Sequence, residues 1–229
     1  MPLLDALALA FFFVCWFFYE PLLKASFRGS VLNSDMAVIR MGWMRQMTHR
    51  TEARIMDGQL LGHAINSASF FASSNLLLIA AAAGALFGGE ATFGSVSDLE
   101  IIRTSSRLLF EVQLALVLLT LSRGLLAFIW AIRQLNYVVS IIGAAPHDEI
   151  IEPQVRKAYA DAAAEVLNPA LTSFNAGVRG YYFSLAAASW MFGPIPFIAA
   201  TAGAVALLGW RQRRSPAAAA IRRLRELIG

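Results

Sequence analysis

The sequence predicts an all-α, polytopic membrane protein. It is expected to have three full transmembrane helices plus a proline-broken C-terminal helical hairpin, with helical cytoplasmic extensions. Three observations carry that expectation. Of the 229 residues, 58% are hydrophobic and 15% charged, and the mean hydropathy is +0.58, above that of an average water-soluble domain. The apolar residues fall in blocks approaching the ~20 residues that cross a bilayer's hydrocarbon core. Arg and Lys gather beside those blocks, as they do on the cytoplasmic flanks of membrane helices.

The first block covers residues 3–23, with Asp5 near its start and Lys24 just beyond it. As a helix it would reach about 28 Å. No Lys or Arg precedes the run and no small-x-small site follows it, so an uncleaved anchor is expected in place of a secretory signal. Cys15 is the single cysteine, which excludes an intrachain disulfide. It reads as a small apolar residue against lipid or a neighbouring helix.

Residues 24–63 change character, with Arg28, Arg40, Arg45, Arg50 and Arg54 against Asp35, Glu52 and Asp57. A cytoplasmic helix is expected over 35–62, N-capped near Asn33 and Ser34. Met36, Ile39, Trp43, Met44 and Met47 recur at helical spacing and form one apolar stripe. That stripe can lie in the membrane interface or pack against other cytoplasmic helices, and packing is the preferred reading.

The second block covers 65–88. Its first half carries Asn66, Ser67, Ser69, Ser73, Ser74 and Asn75, a polar face that prefers protein neighbours to lipid. Ala80, Gly84 and Gly88 repeat every four positions, which permits close helix packing in a membrane; a pore-lining role is the rival reading. From Glu90 to Glu100 a short, acidic, non-cytoplasmic connection is expected, without Lys or Arg.

The third block covers 108–133, interrupted by Glu111, Gln113 and Arg123, and its periodicity continues through Ile142, so the helix is expected to project past the membrane. Pro146 ends it, and Pro153 begins a cytoplasmic helix over 153–168. Two further apolar stretches, 177–193 and 195–210, meet at Gly193-Pro194-Ile195-Pro196. The prolines there must break or kink a helix. One kinked crossing and a hairpin are both possible locally, and topology decides between them. Basic residues fill Lys24–Arg54 and Arg211–Arg225, which places both on the inner side and requires an even number of crossings between them. The hairpin satisfies that count, with the N-terminus outside and the C-terminus cytoplasmic in a bacterial inner membrane. Ser215 and Pro216 open a last helix over 216–228, expected on the anionic inner leaflet. Residues 1–229 are treated as one membrane domain.

The chemistry-bearing residues form no familiar constellation. Phosphate-loop, dinucleotide, His-Glu-x-x-His and paired-Cys signatures are absent, so no catalytic residue, cofactor or metal is expected, and the protein is not read as an enzyme. His147, Asp148, Glu149 and Glu152 are the densest set of metal-ligand types, although acids ahead of Pro153 equally favour a helix N-terminus. The net charge of +4 is spread beside apolar blocks and not on a soluble face, which points to anionic lipid and away from nucleic acid.

Arg123 is the most informative single residue, because an arginine within an apolar run costs several kcal/mol unless paired or hydrated. Glu111 lies twelve positions away, about 18 Å along a helix, so a partner must come from another helix or from water. Snorkelling to headgroups and a structural ion pair are the alternatives to a functional role.

The run Asn175-Ala-Gly-Val-Arg179-Gly-Tyr-Tyr182-Phe-Ser184, followed by Ser189-Trp190-Met-Phe-Gly193-Pro194-Ile-Pro196, resembles the signature of the domain-of-unknown-function family 599 of bacteria and plants. A looser similarity extends to the first helix, to Asn66–Leu78, and to Arg133-Gln-Leu-Asn136-Tyr137, and ends before the basic tail. The resemblance implies a multi-helix membrane fold with Arg179, Tyr182, Ser184, Trp190, Gly193, Pro194 and Pro196 at motif positions, and brings no activity. Arg179 is then expected at the cytoplasmic end of the hairpin and the proline turn at its far end.

Two functions compete. One is an oligomeric channel or transporter with a polar path along Asn66, Ser69, Ser73 and Arg123, gated at the broken helix. The other is a structural or accessory subunit that forms homo-oligomers or joins a larger membrane complex. Asn75, Glu111 and Asn136 complete the polar positions of interest.

Overall fold

The computed structural model describes residues 3–25, 32–50, 54–97, 106–146 and 152–228. Among them there is no strand. The helices are α1 (Leu3–Ala25), α2 (Leu32–His49), α3 (Arg54–Phe87), α4 (Gly89–Ser97), α5 (Arg107–Ala144), α6 (Pro153–Ala188), α7 (Pro194–Arg213) and α8 (Pro216–Ile228), with a 3-10 turn at Ser189–Phe192 between α6 and α7. By length and composition α3, α5 and the stretch Pro194–Leu227 that begins with α7 can each cross a bilayer, and Leu3–Tyr19 of α1 is a shorter apolar run.

Several boundaries depart from the sequence expectation. The helix expected over 35–62 is divided, because α2 stops at His49 and α3 starts at Arg54. Arg50 donates its amide to Met47 in a tightened last turn and turns its guanidinium to Asp57 at 2.8 Å. The block at 65–88 is the later part of the 34-residue α3. Within the connection expected over 90–100, residues 89–97 are helical, entered through Gly89 at a φ of 66°. The segments 153–168 and 177–193 belong to one helix, α6, which runs through Pro169. An interior proline costs about 3 kcal/mol. Around it, however, Ala160, Ala163, Ala164, Leu167 and Ala170 are buried to within 1%. Burying Leu167 alone offsets about 2 kcal/mol of that cost, and the alanines supply the rest.

The chain divides into two compact units. The first comprises Met1–Gly29, Ser73–Leu125 and Gly177–Trp210. Its core is aromatic: Phe12, Phe183, Trp190 and Phe197 are all within 2% of full burial, joined by Ala8, Trp16, Tyr19, Leu109 and Leu116. Phe12 touches both Phe183 and Phe197, at centroid distances of 5.8 and 5.2 Å. Fourteen residues of straight helix would hold the latter two about 21 Å apart. The chain therefore folds back between them, and the proline-broken segment is a hairpin.

The second unit comprises Ser30–Ala72, Leu126–Ala176 and Arg211–Gly229. Met44, Met47, Leu61, Leu135, Val138 and Ile142 pack there against the alanine ridge of α6. The methionine stripe read from the sequence is thus spent on protein packing. Asp57, fully buried, accepts from Trp43 Nε1 at 2.7 Å and from Arg50 Nη1 at 2.8 Å. Arg54 donates to the carbonyls of Ala145 and Pro146, closing the C-terminal end of α5, where such carbonyls lack helical partners. Arg156 Nη1 reaches the Thr48 carbonyl at 2.6 Å. Arg40 is buried and reaches the Asn168 amide oxygen at 3.5 Å, and loss of hydration lowers its pKa from the ordinary arginine value.

Asp57→Ala removes the acceptor shared by Trp43 and Arg50. Arg50 is 36% exposed and can rehydrate, so the expected loss is about 2 kcal/mol, below the range for fully buried pairs. Thermal unfolding in detergent micelles should show it as a Tm lowered by roughly 4–8 °C. An unchanged Tm would mean that this junction does not hold the second unit together.

Candidate functional site

The motif residues converge on the hairpin turn of the first unit. Trp190 closes the 3-10 turn after α6 and is fully buried, with its ring stacked on Phe197 at 5.0 Å. Gly193 follows with φ of 111°, a conformation that side chains disfavour, and donates its amide to the Trp190 carbonyl at 2.9 Å. Pro194 then begins α7, where a missing N–H costs nothing. Phe197 donates to the Gly193 carbonyl at 3.3 Å, and the Pro196 carbonyl accepts weakly from Ser189 Oγ at 3.4 Å.

Three elements converge on Trp190. Gln113 of α5, 1% exposed, donates Nε2 to the Trp190 carbonyl at 3.0 Å. The indole Nε1 donates to Asp5 Oδ1 of α1 at 2.8 Å, and Asp5 is 4% exposed. A turn in an apolar setting needs such donors and acceptors, because an unpaired buried carbonyl or N–H costs about 1–3 kcal/mol. Neither Gln113 nor Asp5 was singled out as a site residue from the sequence. Asp5 had a signal all the same: a carboxylate three residues into an apolar helix is costly unless something receives it.

A second convergence joins α3, α5 and α6 within the same unit. Gly124 and Gly180 bring their helices so close that a Cβ built on Gly180 would stand 3.1 Å from the Gly124 Cα. A Cβ on Gly124 would stand 3.0 Å from Asn75 Nδ2. Asn75, 1% exposed, donates that amide to the Leu121 carbonyl at 3.0 Å, while its buried Oδ1 has no hydrogen-bond partner. Small residues buy this approach of backbones, as in membrane helix pairs generally.

The remaining positions are dispersed. Arg179 is half-buried inside the continuous α6, and not at the start of a helix at 177. Gly177 and Gly180 do not break α6, because their lack of side chains is used for contact with α5. Tyr182 packs against the aromatic core, and Ser184 is buried with Oγ donating to the Tyr181 carbonyl at 3.0 Å. Asn136 is exposed and donates Nδ2 to the Ile132 carbonyl at 3.0 Å. Asn66 and Ser73 are exposed on α3. Glu111 pairs with Arg107 at 2.8 Å, which also meets Glu90 at 2.7 Å.

Arg123 is exposed, and its guanidinium lies 5.2 Å from the ring centroid of Trp16 on α1. The partner from another helix is an aromatic face and not a carboxylate, a contact worth roughly 0.5–2 kcal/mol depending on desolvation. Among the described residues no three His, Cys, Asp or Glu side chains form a metal-binding group. His147, Asp148 and Glu149 lie outside the described residues.

An all-helical fold with several membrane-length apolar helices, aromatic packing and backbone-satisfied polar groups defines an α-helical membrane protein. The chain belongs to the family described as "Protein of unknown function, DUF599", which matches residues 7–217. No curated protein and no solved structure matches it.

Two variants test the convergences. Trp190→Phe keeps the ring stack but leaves Asp5 without its donor, with an expected loss of about 1–3 kcal/mol. Gly180→Val forces backbones apart and should cost about 1–3 kcal/mol or more, whereas Gly143→Ala, with open space around it, should be near neutral. Chemical or thermal unfolding of the purified protein reads all three. Equal stability for Gly180→Val and Gly143→Ala would refute the close crossing.

Proposed function

We propose that the protein is a multi-pass inner-membrane protein acting as a non-catalytic structural or accessory subunit, one that joins further membrane chains through the outer surface of α3. The observation that carries this reading is the low burial of α3: 6% of its most apolar stretch is buried within the chain, against 33% for α5. Its exposed positions include polar and small residues as well as oily ones. In the second unit these are Asn66 and Ser67, and in the first Ser73, Ala80 and Gly84. At bilayer depth an amide or hydroxyl turned to lipid leaves its hydrogen bonds unmade, while a helix from another chain can meet it.

The disposition of buried polar groups in the first unit supports the same reading over a conduit inside one chain. Asn75, Gln113, Thr120, Ser184 and Thr201 each bond a backbone carbonyl. Asn75 and Gln113 reach carbonyls of other elements and so tie helices together, whereas Thr120, Ser184 and Thr201 bond carbonyls within their own helices; groups paired in either way do not line a path. Exposure of Asn66 and Ser73 also favours a second reading, in which α3 helices of several copies surround a polar path between them. The arginine-rich segments Lys24–Arg54 and Arg211–Arg225 support an orientation with the C-terminus cytoplasmic and the N-terminus outside.

Crosslinking in native membranes and light scattering in nanodiscs test the assembly. Wild type should run as an oligomer or with a captured membrane partner, and Asn66→Leu with Ser73→Leu should weaken that association at least about tenfold if it contributes on the order of 1.4 kcal/mol. A wild-type monomer without partner in the membrane would overturn the proposal. Ion flux from liposomes, lost in Ser73→Leu, would replace the accessory reading with the channel.

A further inference from the structure

We propose that the outer face of α8 is a docking surface for anionic lipid. The helix is built with two faces. Toward α2 it buries Ala218 to 1% and sets Arg225 Nη1 3.1 Å from Asp35 Oδ1, itself 1% exposed. At 100° per residue, Ala220, Arg223, Leu224 and Leu227 fall on the opposite side. Leu224 is 43% and Leu227 84% exposed, and Arg223 is exposed beside them.

Charge and chain position identify what fits that face. Arg211, Arg213 and Arg214 precede α8 and Arg222, Arg223 and Arg225 lie in it, against Glu226 as its acid. A cationic helix with two projecting leucines matches a surface that is negative outside and oily just beneath, which is an anionic leaflet. Such a leaflet is also close at hand in the chain. Trp210, 50% exposed, stands near the end of α7 in the position of an interfacial aromatic, and α8 begins six residues later. Ser215 ties the connection down: its Oγ donates to the Arg211 carbonyl at 2.8 Å and accepts from the Ala218 amide at 3.2 Å. The Asp35–Arg225 pair fixes the rotation of α8 about its axis, so that Leu224 and Leu227 face away from α2.

The family match ends at residue 217, at the start of this helix. Arg223, Leu224 and Leu227 thus lie outside the matched region. The docking surface depends on the membrane class of the fold and is independent of association through α3.

The full chain carrying Cys15→Ala and Leu227→Cys, labelled with an environment-sensitive fluorophore, is reconstituted into phosphatidylcholine vesicles with or without phosphatidylglycerol. A second labelled variant, Ala219→Cys, reports the flank of the helix. Quenching by brominated lipid should reach the probe at 227 about twofold more strongly with phosphatidylglycerol present. It should leave the probe at 219 little changed, and it should weaken in high salt. Arg222→Gln with Arg223→Gln should abolish the difference between lipids. Equal quenching in both lipids, or none in either, overturns the proposal. A blue-shifted but unquenched probe at 227 also overturns it and assigns the face to a protein. Should Leu227→Cys fail to fold, Leu224→Cys reports the same face.

Discussion

The first unit depends on a single residue's two hydrogen-bonding groups. A chain that turns round within an apolar setting must leave helical geometry for a few residues, and each freed backbone group there needs a partner from protein. Trp190 supplies and receives those partners. Its carbonyl accepts from Gln113 and from Gly193, and its indole donates to Asp5. The result links α1, α5, α6 and α7 through one residue. The aromatic stack on Phe197, with the edge contact of Phe12 on Phe183 and its tilted contact on Phe197, then fills the space around it. Without the polar links the same rings could pack in several arrangements; with them the arrangement is fixed.

The second unit uses the reverse strategy. Its core is aliphatic and small, a ridge of alanines on α6 against methionines of α2 and branched residues of α5. Small side chains allow close approach but supply little burial each, so the unit relies on arginines placed on backbone carbonyls at helix ends. Arg54 and Arg156 hold carbonyls of Ala145, Pro146 and Thr48, and Arg50 joins Trp43 on Asp57. Such guanidinium contacts are directional and fix where each helix stops. Arg50 and Arg54, which read in the sequence only as part of a charge signal, thus act as structural fasteners.

The helical membrane class was legible because composition and block length are bulk properties that no detail of packing can reverse. The break at Gly193 and Pro194 was legible for a different reason, because those residues impose local backbone geometry that is independent of neighbours; the choice of a hairpin over a kinked crossing came from the even number of crossings that the basic flanks require. The helix boundaries were less so. Pro169 and the glycines at 177 and 180 carry breaking propensities worth a few kcal/mol, and long-range burial along α6 exceeds them. The meaning of Arg123 was half legible. Its position demanded a partner from another helix, but nothing in a one-dimensional pattern says that the partner is the face of Trp16. The role of Asp5 and Gln113 was not legible, because it comes from pairing across 185 and 77 residues.

That long reach bears on how the protein is made. Asp5 leaves the ribosome with α1, while Trp190 is synthesised 185 residues later. At about 5–20 residues per second the interval is on the order of ten seconds or more. Throughout it α1 must carry a carboxylate whose eventual indole donor does not yet exist. α1 is therefore made early but settles late, and closure of the first unit waits on its proline-turned hairpin.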